Sequence, residues 1–171
     1  MELVLLPGVN NMASTFSVLR ASLDDGVLAQ ALDLPARDRI EDVAKDVLSR
    51  APEKFVALGH SFGGMVAMAL AEIAPERLAG LILVNTCDWA DTPALKDMRT
   101  DKAARALAGE YEDFANAATA RAYHPDNAGR AELLVERANA VKAYGAERFA
   151  AHQRAMAARP NRRDVLIQSG L

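Results

Sequence analysis

Five residues, Gly59-His60-Ser61-Phe62-Gly63, have the types and spacing to do chemistry. A serine on a tight turn between a strand and a helix is forced into a strained backbone and presents its hydroxyl at the top of a sheet. The residues two positions either side of it crowd together, so Gly59 and Gly63 must lack side chains. The helix that follows aims its free N–H groups and the positive end of its dipole at the same point. Attack on an ester or amide carbonyl needs this arrangement, because an oxyanion forms beside the attacking oxygen. With glycine and serine each about 7% of residues in average proteins, the bare pattern arises by chance in roughly 5% of chains this long, and requiring a flanking strand and helix cuts that to about 1% or less. The phosphate-binding alternatives want G-x-G-x-x-G or Gly-Lys-Ser/Thr, and neither is present.

A second piece is Pro7-Gly8-Val9-Asn10-Asn11, which follows an apolar run, Leu3–Leu6. Acyl-transfer sites draw one oxyanion N–H from the residue after the nucleophile and another from such an early loop. Those are Phe62 and Val9 here, with Gly8 allowing close approach and Asn10 a candidate pocket wall.

The elements that must position these pieces follow from the hydrophobic pattern. Leu3–Leu6, Val27–Leu34, Lys54–Leu58 and Gly80–Val84 read as strands, the last apolar on both sides. Asn11 to about Leu23 reads as a helix with Asn11 as N-cap. In Asp38–Arg50, apolar residues fall at i, i+3, i+4, i+7 and i+8 from Ile40, and Asp38 with Glu41 resembles a capping box. The helix after Gly63 is apolar nearly all round and must be buried, and Pro75 ends it. Alternating strands and helices predict an α/β three-layer sandwich: a mostly parallel sheet with helices on both faces. Residues 103–158 contain 20 alanines and no convincing strand. They predict an inserted helical cap, broken at Gly109, His124-Pro125 and Gly145. The expected division is a core over 1–92, a cap over 93–159 and a return segment over 160–171, in which Asp164–Ile167 begins another strand.

Composition excludes several function classes. The 171 residues carry 20 Lys+Arg against 23 Asp+Glu, a net charge of −3, which argues against nucleic acid and against a polybasic membrane anchor. Hydrophobic residues at 51% support a sizeable core. One cysteine, Cys87, and three histidines leave no basis for a disulfide framework or a structural metal site, and no cofactor is implied. No run reaches the ~20 apolar residues of a membrane span, and no basic leader opens the chain. The expectation is a cytoplasmic protein acting on a small molecule.

The chain resembles the α/β-hydrolase superfamily, nearest to capped small bacterial carboxylesterases and enol-lactonases. The resemblance rests on Leu5-Leu6-Pro7-Gly8, on Gly59-His60-Ser61-Phe62-Gly63-Gly64, on Ala74-Pro75-Glu76-Arg77 before the strand ending at Val84, and on Arg159-Pro160. It implies a nucleophile at Ser61, an oxyanion hole at Phe62 and Val9, and a cap that shapes the acyl pocket. Members of that superfamily order their triad Ser, then Asp or Glu, then His. The acid and histidine usually follow two further strands, so the sequence reads as a C-terminally truncated member.

Residues within the chain offer weak substitutes. His60 is directed away from the nucleophile in such a turn and packs beneath it. His124 reads as a polar loop residue, and His152 as a surface or cap-contact residue. Asp88 is the better acid candidate, since some members carry their acid after this strand. Trp89 is a candidate pocket wall. Cys87 reads as a small buried hydrophobe, and Arg99, Lys102, Arg105, Arg121 and Arg130 as a solvated face. The expected function is therefore a serine hydrolase of a small ester, lactone or thioester, impaired for lack of a base. The alternative is a non-catalytic remnant that binds or dimerises through an open sheet edge.

Overall fold

A computed structural model of the chain describes residues 1–119 and 122–170. Arg121 lies outside the described residues. Four strands, β1 (Glu2–Leu6), β2 (Leu28–Ala31), β3 (Phe55–His60) and β4 (Leu78–Val84), form a parallel sheet in the order β2-β1-β3-β4. Their alternating side chains feed two cores. Val4, Leu6 and Ala57 point to the face covered by α2 (Ile40–Arg50) and α3 (Phe62–Ile73), where Val43, Val47, Phe62, Val66 and Leu70 close the layer. Leu3 and Leu5 point to the opposite face, which is covered by a 3₁₀ turn (Ala13–Phe16) running into α1 (Ser17–Ala21). That second layer is thin: Val56 and Leu58 are half-buried, and Ile82 and Val84 on β4 are about two-fifths exposed at 43% and 42%. Only one side of β4 packs against a core, with Leu78 buried and Leu81 and Leu83 half-buried, contrary to the two-sided strand its composition predicts.

Three local expectations are corrected. The stretch after Asn11 opens as 3₁₀ rather than α-helix, and Asn11 does not cap it. Ser14, Thr15 and Ser17 are modest helix formers, and the early N–H of Ala13 goes to Asp33 at 2.6 Å. The Asp38–Glu41 capping box does not form. Arg154 takes Asp38, and Arg162 takes Glu41. Finally, Asp164–Ile167 is no strand. It lies in α8 (Arg163–Gln168), with Val165 and Leu166 packed toward the α2/α3 core. Arg162, just before it, is pinned between Glu41 on α2 and Glu72 on α3, which directs the chain onto the helices and leaves the outer edge of β4 unpaired among the described residues.

After β4 the chain is helical: α4 (Pro93–Arg105), a π-turn (Ala106–Glu110), α5 (Tyr111–Ala117), α6 (Ala131–Tyr144) and α7 (Ala146–Ala158). The breaks fall where the sequence places them, with Gly109 at φ 106° and Gly145 at φ 78°, and a 3₁₀ turn at Pro125–Asn127. Tyr111, Val141, Tyr144 and Phe149 form a core of their own, which reaches Val9 and Met12 of the sheet unit.

Candidate active site

Among the described residues, three other than glycine have positive φ: Asn10 at 60°, Ser61 at 52° and Asn85 at 46°. They follow β1, β3 and β4 at the carboxyl ends of the strands, the rim where parallel sheets hold their sites. Ser61 is the sharpest of them. It leaves β3 and enters α3 at φ 52°, ψ −113°, a region that costs of order 1–3 kcal/mol and persists only when the surroundings enforce it. They do so here: Ser61 N–H donates to Val84 O at 2.9 Å, and Ser61 O accepts from Thr86 Oγ1 at 2.8 Å and from Gly64 N–H at 3.0 Å. A Cβ on Gly59 would sit 2.4 Å from Gly63 O, so the crowding predicted for the two flanking glycines is present. The serine is half-buried, and its hydroxyl forms no hydrogen bond among the described residues.

The loop after β1 comes close to this crest. A Cβ on Gly8 would lie 3.2 Å from Ser61 Cβ and 3.0 Å from His60 Nδ1, so His60 packs against Gly8, and burial pushes its imidazole down. Gly8–Asn11 closes as a turn, Asn11 N–H to Gly8 O at 3.2 Å, and Asn11 Nδ2 donates to Val9 O at 3.1 Å. Residues from the far helices hold the loop. Tyr111 OH is 3.1 Å from Asn10 Oδ1 and 2.9 Å from Val141 O, and Arg137 Nη1 donates to Asn10 O at 2.9 Å. Asn10 is thus buried, with its side-chain and main-chain oxygens both engaged. Burial pushes the Tyr111 phenol up to about 12, so it stays a neutral donor.

His152 is not a surface residue. It is completely buried, stacked on Phe62 with ring centroids 4.2 Å apart. Its Nε2 is 2.8 Å from Pro35 O, which can only accept, so Nε2 carries the proton. Nδ1 therefore accepts from Tyr144 OH. Both ring nitrogens are occupied, and burial pushes the imidazole down to about 4. This fixes the sign of a pH effect. Between pH 6.5 and 4 the unfolded chain binds the proton that the folded chain refuses, so stability falls as pH drops through that window, by roughly 3 kcal/mol at full extent. Urea midpoints at pH 7, 5.5 and 4.5 should show this loss. His152→Gln, which can still bridge Tyr144 and Pro35, should remove it. His60 and the carboxylates titrate in both proteins and cancel. Equal slopes in both would assign the loss elsewhere.

The remaining candidates lie on the β4 side. Asp88 is tied to Arg163 Nε at 3.0 Å, and that hydrogen bond holds its carboxyl below the usual range; no histidine is its partner among the described residues. Trp89 is 53% exposed, and its carbonyl accepts from Arg159 Nε at 3.1 Å. Cys87 is half-buried, 3.4 Å from Arg159 Nη2. Arg99 is not part of a solvated face: it pairs with Asp91, a buried carboxylate that Arg159 Nη2 also reaches at 2.8 Å. Burial pushes the Asp91 carboxyl up, but hydrogen bonds from Arg99 and Arg159 outweigh it and hold it below its usual range. Arg105 and Arg130 are exposed and pair with Glu110 and Glu132. His124 is exposed beside Asp126. Asp91, Tyr111, Arg137 and Tyr144 escaped the sequence, which holds no local signal for contacts across tens of residues. Among the described residues, no group of three or more His, Cys, Asp or Glu could hold a metal, and no helix is long and apolar enough to cross a membrane.

The sequence model of the alpha/beta hydrolase family matches residues 3–168. The chain belongs to that family. A pimeloyl-[acyl-carrier protein] methyl ester esterase of Citrobacter koseri is 38% identical to this chain over 91 residues, 48% of this chain and 36% of that protein. A thermophilic esterase from Thermogutta terrifontis superposes with a TM-score of 0.86 at 26% identity, covering 96% of this chain and 66% of the other. The enol-lactonase of Burkholderia xenovorans LB400, at 22% identity, shares the fold with a TM-score of 0.77 over 95% of this chain and 66% of its own. The chain thus spans about a third of the length of the curated relative and just under two thirds of each solved one.

Proposed function

We propose that this hydrolase attacks a small ester, lactone or thioester with Ser61. Its Oγ adds to the carbonyl carbon, and the developing oxyanion is held by the N–H groups of Phe62 and Val9. Collapse of that adduct expels the alcohol or thiol and leaves an acyl-Ser61, which water cleaves to the acid. The histidine and acid that move the protons come from outside the described residues. Residues 93–159 act as a cap over a core of 1–92, with 160–171 returning to it, and Trp89 and Asn10 border the acyl pocket. A reducing, cytoplasmic setting fits a single unpaired cysteine. The observation that carries this reading is the backbone of Ser61, held at φ 52° where a strand turns into a buried helix with Gly8 against it. Strain of this kind at a serine clusters at functional sites.

A stoichiometric probe tests the nucleophile without needing fast turnover. Long incubation with a fluorophosphonate should yield one adduct, located at Ser61 by peptide mass and absent in Ser61→Ala. Its rate will be slow, since a serine hydroxyl is weak without a base. Modification elsewhere, or none, would favour a fold remnant that binds rather than reacts.

A further inference from the structure

Gly64 closes the sequence motif around Ser61, yet the turn itself needs only Gly59 and Gly63 to lack side chains. Its neighbour in space explains it. A Cβ on Gly64 would fall 2.6 Å from both Cβ and Cγ2 of Thr86 and 2.8 Å from its Oγ1. The bare backbone of Gly64 is therefore the seat of the Thr86 side chain, which reaches α3 from the chain just beyond β4. From that seat Thr86 Oγ1 donates to Ser61 O at 2.8 Å. Two residues earlier, Val84 O accepts from Ser61 N–H at 2.9 Å. The end of β4 thus grips both the N–H and the carbonyl of residue 61. Asn85 lies between the two grips at φ 46°, a left-handed turn that brings the carbonyl before it and the side chain after it onto one residue.

The carbonyl of Ser61 matters because of what shares its peptide plane. A trans peptide is planar, so fixing Ser61 O also fixes the Phe62 N–H, which points the opposite way. That N–H opens α3, where the first donors have no partner within the helix. Ser61 O accepts two further hydrogen bonds, from Gly64 N–H at 3.0 Å and Met65 N–H at 3.3 Å. Those donors belong to the first turn of α3 and tilt with it. Among the described donors to this carbonyl, the Thr86 hydroxyl is the one that ties the peptide to the sheet.

We infer that Thr86 is a positioning residue of the oxyanion site: its hydroxyl, seated on Gly64, sets the direction of the Phe62 N–H by holding the Ser61 carbonyl. The inference rests on the reading of Ser61 as nucleophile and of the Phe62 N–H as oxyanion donor. Thr86 touches no reacting atom. It acts through the tilt of one peptide, and a hydrogen bond weakens steeply as its angle closes toward about 120°. Losing an oxyanion donor outright costs about 10²–10³-fold in rate, so loosening one should cost on the order of tenfold.

The second-order rate of fluorophosphonate labelling at Ser61 tests it, in the folded 171-residue protein and its variants. In that reaction Ser61 Oγ bonds to phosphorus, fluoride leaves, the hydroxyl proton passes to water, and the phosphoryl oxygen gathers charge at the oxyanion position. Thr86→Val keeps the shape and loses the hydroxyl, and should slow labelling about tenfold. Thr86→Ser restores the hydroxyl and should label within about threefold of the parent rate. A merely structural hydroxyl would lower the urea midpoint and leave the rate of the folded protein alone. If Thr86→Val does not fold, Gly64→Ala takes its place, since the new methyl pushes the same hydroxyl aside and should slow labelling likewise. Labelling of Thr86→Val at the parent rate, or of Thr86→Ser as slowly as Thr86→Val, would overturn the inference and leave the nucleophile standing. If the parent protein is not labelled at Ser61, the nucleophile reading fails, and amide ¹H–¹⁵N spectra then decide the inference. A Phe62 cross-peak displaced in Thr86→Val and restored in Thr86→Ser upholds the hold on the peptide, and one that does not move overturns it.

Discussion

The 171-residue polypeptide should hydrolyse p-nitrophenyl butyrate about 10⁶-fold more slowly than a hydrolase whose serine has its histidine, because that is the order of loss when the base of such a triad is removed. The residual rate should be roughly 10³–10⁴ above water, from the oxyanion donors and binding alone. The argument follows from where the three histidines lie. His152 is the fully buried one, yet its nitrogens are held by Tyr144 and Pro35, and burial pushes it down to about 4. It also touches the site through the ring of Phe62, not through Ser61. His60 packs against Gly8 and makes no hydrogen bond to the serine hydroxyl. His124 is exposed beside Asp126. Asp88, the acid that follows β4, is committed to Arg163. The measurement is initial velocity for the chain and for Ser61→Ala. A turnover near 10 s⁻¹, typical of a competent enzyme and abolished by that substitution, would mean that one of these histidines swings to the serine and that the static arrangement misleads.

What the sequence made legible here is local. The turn at Ser61 is written in five consecutive residues, with glycine at fixed offsets, between a run that alternates as a strand and a run that is apolar all round. Backbone sterics dictate that pattern, so the fold had to reproduce it. The four strands and the breaks at Gly109 and Gly145 were readable for the same reason. Asp164–Ile167 was not, because a short apolar run fits a strand or a helix equally until its surroundings choose; Arg162, clamped by two acids of α2 and α3, made the choice. Long-range pairing likewise claims the two residues of the expected capping box, Arg154 pairing with Asp38 and Arg162 with Glu41. The residues that hold the β1 loop, Tyr111 and Arg137, lie more than a hundred positions from Asn10. No spacing rule reaches that far, and what single-sequence reasoning could name was the loop, not its supports.

Replacing Gly63 by alanine should be the most damaging single methyl group in the molecule. The added Cβ would lie 2.0 Å from Leu6 O and 2.8 Å from Pro7 O, while Gly59 already abuts Gly63 on the other side. These are backbone atoms at the end of the central strand β1, so no rotamer change relieves them. The only relief is to move α3 off the sheet, and α3 is the most buried helix of the core, with Val66 and Leu70 fully enclosed. Separating it would open a cavity as well as break the turn, and losses above about 4 kcal/mol arise from such compound mechanisms. Against a total stability of roughly 5–15 kcal/mol, the variant should be mostly unfolded or insoluble. Gly26→Ala is the control. Nothing lies within 4 Å of its Cβ and its φ is not positive, so the change should fall within about 0.5 kcal/mol of neutral and could stabilise by restricting the unfolded chain. Urea midpoints of the two variants decide the matter. If Gly63→Ala costs no more than Gly26→Ala, then α3 does not press against β1 as tightly as described, and the strain assigned to Ser61 loses the contact that enforces it.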